Sequence, residues 1–209
     1  MSGGDADTAG MKIRWTLIRR KGEGGCMAMK FLNLKAEGAP YKAQVRKLYE
    51  SAFPPEEKKP FERMEALAEE GKMELTAIVE EQWVGLAFFM VSEKTVILDY
   101  FAVSTKLRGG GYGGKAVRMI MERFRDKKLI FEIEMQDEKA VNAQERARRK
   151  AFYLRNGMRE TGVFANVYQT DFELLTADGK LDYQEYEGML RFMLGEKGLE
   201  ALKPRQLEP

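Results

Sequence analysis

Five of the six residues from 109 to 114 are glycine, in a turn that joins a strand-like run to a helix-like run. Without Cβ atoms, this backbone can bring successive N–H groups close to a ligand, and the N-terminus of the following helix adds the positive end of its dipole. The cationic side chains Lys106, Arg108, Lys115 and Arg118 flank the turn. The composition of residues 103–114 therefore predicts a phosphate-binding turn.

We compare this turn with the known classes of phosphate-binding site. A P-loop needs Ser or Thr after its lysine, but Lys115 is followed by Ala116. A dinucleotide-binding fold places its glycine loop after the first strand, whereas this turn follows three consecutive predicted strands. An RNA-binding RGG tract would be repetitive, and the turn occurs once. A flexible connector without a ligand remains the alternative.

The chain has no histidine, which excludes Ser-His-Asp and Cys-His nucleophilic sites and most zinc sites. Any general base must then be a carboxylate, a tyrosine, a chain terminus or a water chain. The net charge of +2 is too small for broad attraction to nucleic acid. Residues 106–159, however, hold 15 Lys and Arg against 7 Asp and Glu, so this segment is suited to an anionic ligand.

Hydrophobic periodicity predicts the order of the strands and helices that position the turn. The hydrophobic share of 44% is large enough to form a core. The pattern predicts the order β-α-α-β-β-β-α-β-α-β-β, a mixed sheet with helices on its faces, of α+β or α/β class. Predicted strands cover residues 29–35, 73–79, 82–91, 95–103, 129–135, 160–167 and 171–175. Predicted helices lie near residues 45–53 and 60–71, from the glycine turn to about residue 125, near residues 143–156, and from residue 183 onward, with Tyr186, Leu190 and Met193 as the packing stripe of the last.

Two motifs carry a resemblance to a known family. The spacing from Val103 through Arg108 to Gly111 and Gly113 resembles motif A of the GNAT superfamily of acyl-CoA N-acyltransferases, Arg/Gln-x-x-Gly-x-Gly/Ala. Downstream, residues 151–158 (AFYLRNGM) resemble the motif B of that superfamily. The resemblance covers residues 29–176 and implies the GNAT fold, in which the fourth and fifth strands splay apart around acetyl-CoA.

The resemblance also implies which residues hold the co-substrate, and it implies no metal. Backbone groups of Phe101, Ala102 and Val103 should bond the pantetheine and acetyl groups. The pyrophosphate should lie on the motif A turn. The family also has an asparagine in the connection after the fifth strand, for which Asn142 is the nearest candidate. The implied turn residues are Arg108, Gly109, Gly110, Gly111, Tyr112, Gly113 and Gly114.

The resemblance further implies direct attack of an amine on the thioester. Tyr153 matches the general acid toward the departing thiolate. Because a tyrosine has a pKa near 10 and a thiol near 8.5, full proton transfer would be uphill by about 2 kcal/mol, which favours a strong hydrogen bond. Glu134 matches the strand carboxylate that acts as base in several members, and Asp99 is the second candidate; water is a further alternative.

Together these features predict an acetyl-CoA-dependent N-acetyltransferase acting on a primary amine of a small molecule or protein. The alternative is a non-catalytic acyl-CoA-binding module. We expect a disordered extension at residues 1–28, the acetyltransferase domain at 29–176, and a C-terminal helix and tail at 177–209. The longest apolar run has nine residues, too short to span a bilayer, and Cys26 is the lone cysteine, so we expect a cytoplasmic protein. The expected partner is the amine acceptor, with no nucleic acid and no membrane, and a homodimer is left open.

Overall fold

A single mixed sheet runs through the computed structural model, which describes residues 28–167 and 169–208. Its strand order is β1-β2-β3-β4-β5-β7-β6-β8. All neighbouring strands are antiparallel except β4 and β5, which are parallel. The strands are β1 Lys30–Asn33, β2 Met73–Val79, β3 Trp83–Val91, β4 Thr95–Val103, β5 Lys128–Glu134, β6 Arg159–Val167, β7 Thr170–Thr176 and β8 Arg205–Leu207.

Five α-helices of the described chain cover the two faces of this sheet. They are α1 Lys42–Ala52, α2 Phe61–Glu69, α3 Tyr112–Arg123, α4 Ala143–Arg155 and α5 Tyr183–Leu202. Apolar residues of α1, α2 and α5 share one core cluster with the sheet, and those of α3 and α4 belong to a second. Successive strand residues alternate between these faces. On β5, Ile130 packs in the first cluster, whereas Phe131 and Ile133 pack in the second.

The parallel pair β4–β5 separates before either strand ends. Its last paired residues are Leu98 and Phe131. On the other side of β4, Phe88 pairs with Tyr100 and Phe89 with Leu98, so Asp99 is the extra residue of a β-bulge. Bulges bend a strand and increase its twist. Beyond this point no pairing joins β4 and β5, and we call the region between their unpaired ends the splay.

The predicted fold class, a mixed α+β sheet with helices on its faces, is confirmed, and the central strands β4 and β5 part as expected. The bounds of β2 and β4 agree with the pattern, and the other predicted strands and the helices differ by a few residues at one or both ends. The short strand β8, which pairs with β6, was not predicted. Within the described residues, no helix is both long and apolar enough to cross a bilayer.

The C-terminal segment is part of the packed structure. Asp182 and Glu185 form a capping box at the start of α5, which closes the helix end. Tyr186, Met189 and Leu190 are buried against the sheet. The domain limits at residues 29–176 and 177–209 stay a prediction, and the expected disorder of residues 1–28 falls, except for the last of them, outside the described residues.

Candidate active site

The glycine turn exposes its backbone to solvent from residue 108 to residue 111. Gly109 and Gly111 have φ values of +79° and +78°, which side chains rarely adopt, and a Cβ at either would meet nothing within 4 Å. Gly111 is the N-cap of α3, and no side chain caps that helix. The first turn of a helix leaves its N–H groups without internal partners. The exposed start of α3 can therefore take an anion.

Gly113 and Gly114 have a different physical role, which concerns the neighbouring helix. A Cβ on Gly114 would lie 2.6 Å from the Asn156 side-chain oxygen, and one on Gly113 would lie 3.3 Å from the ring of Phe152. The two glycines therefore let the C-terminal half of α4 pack closely against the start of α3. Arg118 fixes this approach by donating a 2.7 Å hydrogen bond to the same Asn156 oxygen.

The end of β4 forms one wall of the splay. Phe101, Ala102 and Val103 face Ala87, Leu86 and Gly85 across the β3–β4 pairing. Toward β5, this stretch has no strand partner among the described residues, because the β4–β5 pairing ends at Leu98. A free strand edge offers backbone donors and acceptors to an extended ligand. The residues predicted to hold the pantetheine therefore lie along this free edge.

Tyr153 lies at the start of the splay on the α3/α4 face. Its ring packs edge-on at 5.0 Å from the ring of Phe131, the last paired residue of β5, and at 5.2 Å from Phe152. Burial raises the pKa of the Tyr153 hydroxyl to about 12, and nearby Arg149 opposes the rise in part. Tyr153 thus keeps its proton over the whole working pH range and can serve as a hydrogen-bond donor.

Glu134, the first predicted base, is held by two arginines. Its oxygens lie 3.0 Å from Arg146 Nη2 and 2.9 Å from Arg149 Nη1. Asn142 also donates to Oε1 at 3.1 Å, and its own oxygen accepts from Arg146 at 2.8 Å. The structure therefore brings the predicted residues Glu134 and Asn142 together, in a charge cluster at the end of β5.

Asp99, the second predicted base, is also paired with a cation. Lys59, which precedes α2, donates from Nζ to the two Asp99 oxygens at 2.7 and 3.0 Å. The Asp99 side chain is only 5% exposed. The bulge thus directs this carboxylate into an ion pair on the α1/α2 side of the splay.

Glu132 is the carboxylate whose environment was not predicted from the sequence. It directly follows Phe131, and it accepts a hydrogen bond from the hydroxyl of Tyr186 on α5. Burial raises the pKa of Glu132 to about 7; the Asp99 charge adds to the rise, while the Tyr186 hydrogen bond and Lys59 oppose it. One signal was available, because the stripe of α5 contains a tyrosine, whose hydroxyl usually finds a partner when buried.

The splay is therefore flanked by different chemistry on its two faces. Tyr153, whose ring packs against Phe131, lies on the α3/α4 face. The carboxylate of Glu132, one residue further along the strand, lies on the opposite face with α5. Tyr153 and Glu132 therefore lie on opposite faces of the sheet, next to the point where the β4–β5 pairing ends.

Comparisons with known proteins agree with this geometry. A model of the Acetyltransferase (GNAT) family matches residues 42–157. A search of curated protein sequences finds no match.

Among solved structures, an acetyltransferase assigned to the GNAT family from Bacteroides thetaiotaomicron superposes with a TM-score of 0.64 at 20% identity, covering 82% of this chain and 98% of its own. An aminoglycoside 6'-N-acetyltransferase complexed with coenzyme A has a TM-score of 0.54 at 15% identity, and the match covers 75% of this chain and 100% of that structure. The Vibrio cholerae spermidine N-acetyltransferase in complex with CoA and spermine has a TM-score of 0.51 at 10% identity, and the match covers 74% of this chain and 98% of that structure.

These structural likenesses show a shared fold. The family match adds the sequence evidence, since it spans more than half of the chain and includes both the glycine turn and Tyr153. The chain belongs to the GNAT family of acetyltransferases.

Proposed function

We propose that this protein transfers the acetyl group of acetyl-CoA to a primary amine of a small molecule or protein by direct attack. The observation that carries the proposal is the splay, which has a free β4 edge between a hydroxyl on one face and a carboxylate on the other. Coenzyme A complexes of proteins with the same fold support the choice of co-substrate.

The described residues fit acetyl-CoA in three places. The uncapped start of α3, with Arg108 and the exposed glycines beside it, suits the pyrophosphate. The free edge at Phe101, Ala102 and Val103 suits the amide-rich pantetheine arm. An N–H on the same edge can stabilise the oxyanion that forms when the amine attacks the thioester.

Tyr153 supports departure of the thiolate as a hydrogen-bond donor. With the pKa of the hydroxyl near 12 and that of a thiol near 8.5, complete proton transfer would cost about 5 kcal/mol. A hydrogen bond to the developing sulfur charge needs no such transfer, and it is strongest in the transition state. The acid assigned by the sequence motif thus acts by stabilising charge.

Acetyl-CoA binding gives the first test, by calorimetric titration with ATP and 3′,5′-ADP as competitors for the turn. We expect micromolar acetyl-CoA affinity and much weaker ATP binding. Arg108→Ala should weaken acetyl-CoA about tenfold, because it removes a charged hydrogen bond to phosphate. The matched control is Arg125→Ala, beyond the far end of α3, where Arg125 pairs with Glu122. Equal losses in the two variants, or no binding at millimolar acetyl-CoA, would contradict the site.

Turnover gives the second test, read as thiol release with spermidine, kanamycin and a lysine-containing peptide. Tyr153→Phe should lower kcat about 10- to 100-fold and leave acetyl-CoA affinity unchanged, because the lost hydrogen bond forms in the transition state. Tyr41→Phe, outside the splay, is the control and should match the wild type. Acetyl-CoA binding without turnover on any amine would favour the non-catalytic module instead.

A further inference from the structure

A pair formed by Glu132 and Tyr186 joins the splay to the C-terminal helix. The family match ends at residue 157, so Tyr186 lies outside it. We propose that Glu132 is the general base that takes the proton from the acceptor amine, and that Tyr186 is the positioning residue that holds its carboxylate at the splay. This inference rests on the proposed function, because it concerns the amine of that same reaction.

The position of Glu132 meets the first requirement of a base, which is access to the reacting atoms. It is the first residue of β5 beyond the last β4–β5 pair. Its neighbours Phe131 and Ile133 are each 1% exposed, whereas Glu132 retains intermediate exposure. Because side chains alternate along a strand, Glu132 faces the side opposite to Tyr153. An amine entering from the α1/α2/α5 side would meet this carboxylate on its way to the thioester.

The bonding of Glu132 separates it from the other two carboxylates at the splay. Glu134 is bound by Arg146 and Arg149, and Asp99 by Lys59. A carboxylate bound to cations gives up that pairing when it takes a proton. Within the described chain, Glu132 makes no ion pair and accepts its hydrogen bond from a neutral hydroxyl. It can therefore take up a proton at lower cost than either neighbour.

The groups facing Glu132 bring the pKa of its carboxyl close to neutral pH. They are Tyr186 from α5, Asp99 from β4 and Lys59 from the segment before α2, while its pairing partner on β7 is the apolar Leu174. Burial, with the help of Asp99, raises the pKa to about 7 against the opposing effects of Tyr186 and Lys59. General bases work best when their pKa lies near the operating pH.

The Glu132 carboxylate takes one proton from the acceptor ammonium and becomes the carboxylic acid. The neutral amine nitrogen then forms a bond to the acetyl carbonyl carbon, and the carbon–sulfur bond breaks. The nitrogen loses its second proton to the thiolate by way of solvent, while Tyr153 donates a hydrogen bond to the sulfur. Glu132 returns its proton to solvent before the next turnover.

The chain offers a matched control one turn earlier on α5. The Tyr183 hydroxyl is buried and has no hydrogen-bond partner in the described part of the chain. Its ring lies 6.3 Å from that of Tyr186. Tyr183→Phe therefore removes the same atom from the same helix without touching Glu132.

The experiment measures the pH dependence of kcat/KM for acetyl-CoA consumption in the full chain. The acceptor is the fastest of spermidine, kanamycin and the lysine peptide, or water where none of them reacts. Glu132→Gln should lower kcat/KM about 100-fold or more at pH 7, with acetyl-CoA affinity unchanged. Tyr186→Phe removes a hydrogen bond that favours the carboxylate, so the fall of kcat/KM toward acid pH should begin roughly one pH unit higher, while kcat/KM at alkaline pH stays at the wild-type value. Tyr183→Phe should leave the whole pH profile of kcat/KM unchanged.

Two outcomes would overturn the inference while leaving the proposed function intact. One is a Glu132→Gln variant with the wild-type rate. The other is a Tyr186→Phe variant whose rate falls by the same factor at every pH, since that would show only a structural role. A wild-type protein that consumes no acetyl-CoA would instead reject the proposed function, and the base with it.

Discussion

At pH 8, Glu132→Gln is expected to raise the free energy of unfolding by about 3 kcal/mol. In the wild type, burial raises the pKa of Glu132 from its ordinary value of 4.5 to about 7. A carboxyl whose pKa is higher in the folded than in the unfolded state stabilises the fold below its unfolded pKa, and this contribution is lost as the pH rises through the folded pKa. About 2.5 pKa units correspond to about 3 kcal/mol.

The gain should therefore depend on pH. Below about pH 4.5 both states carry a neutral Glu132, so glutamine and glutamic acid should be nearly equivalent. Between about pH 4.5 and 7 the difference should grow, and above about pH 8 it should stay constant. Urea unfolding at pH 5, 6, 7 and 8 measures this course directly. A gain of the same size at pH 5 and pH 8 would contradict it.

Glu134→Gln is the matched control on the same strand. Its carboxylate is paired with Arg146 and Arg149, so the amide would leave two cations without their partner. Because Glu134 is buried but both arginines are partly exposed, losing these hydrogen bonds to charged groups should destabilise the protein by about 1.5–3 kcal/mol. The two isosteric substitutions, two residues apart on β5, should thus change stability in opposite directions at pH 8. If the inferred base is correct, the stabilised Glu132→Gln variant is also the inactive one, a trade-off typical of active sites.

The order of elements could be predicted because it depends on local patterns. The bounds of β4 follow from its own apolar run between polar residues, and the helix breaks follow from nearby proline and glycine. The short strand β8 lacks such a pattern, because three residues are too few to show alternation. It forms only because β6 offers an edge.

The candidate site could be predicted only where its residues share one motif. The glycine turn and Tyr153 each belong to a contiguous signature. The environment of the carboxylates depends on contacts between distant segments, since Tyr186 lies 54 residues from Glu132 and Lys59 lies 40 residues from Asp99. Which of three similar carboxylates is free of a cation therefore follows from packing, which periodicity does not report.

The roles of the glycines were likewise only partly predictable. A glycine-rich turn indicates close approach of a backbone, but it does not say to what. Gly109 and Gly111 need their left-handed conformation, whereas Gly113 and Gly114 make room for α4. A sequence motif combines these two requirements into a single signature.

Gly85→Ala is expected to destabilise the protein by about 3 kcal/mol and to weaken acetyl-CoA binding as well. A Cβ at this position would lie 2.1 Å from the carbonyl oxygen of Ala102 and 3.0 Å from the Cα of Val103. Both contacts are to backbone, which cannot move aside as a side chain end would. Overpacking of this kind costs about 1–3 kcal/mol or more. Urea unfolding measures the loss, and calorimetry measures the affinity.

Gly188→Ala on α5 provides the control, because a Cβ there would meet nothing within 4 Å. Alanine is the better helix former, so this variant should gain about 0.5–1 kcal/mol. A Gly85→Ala protein as stable as the wild type, with unchanged acetyl-CoA affinity, would contradict the close contact between β3 and β4.

The two effects of Gly85→Ala are linked through the free edge of β4. Relief of the clash has to separate Ala102 from Gly85, and β4 has no strand partner on its other side at this point, so it can move toward the splay. That movement would shift the backbone groups of Phe101, Ala102 and Val103, which are proposed to hold the pantetheine. Acetyl-CoA affinity should therefore fall even under conditions where the variant is fully folded, because the glycine on β3 sets the position of the β4 edge that we propose to bind the thioester.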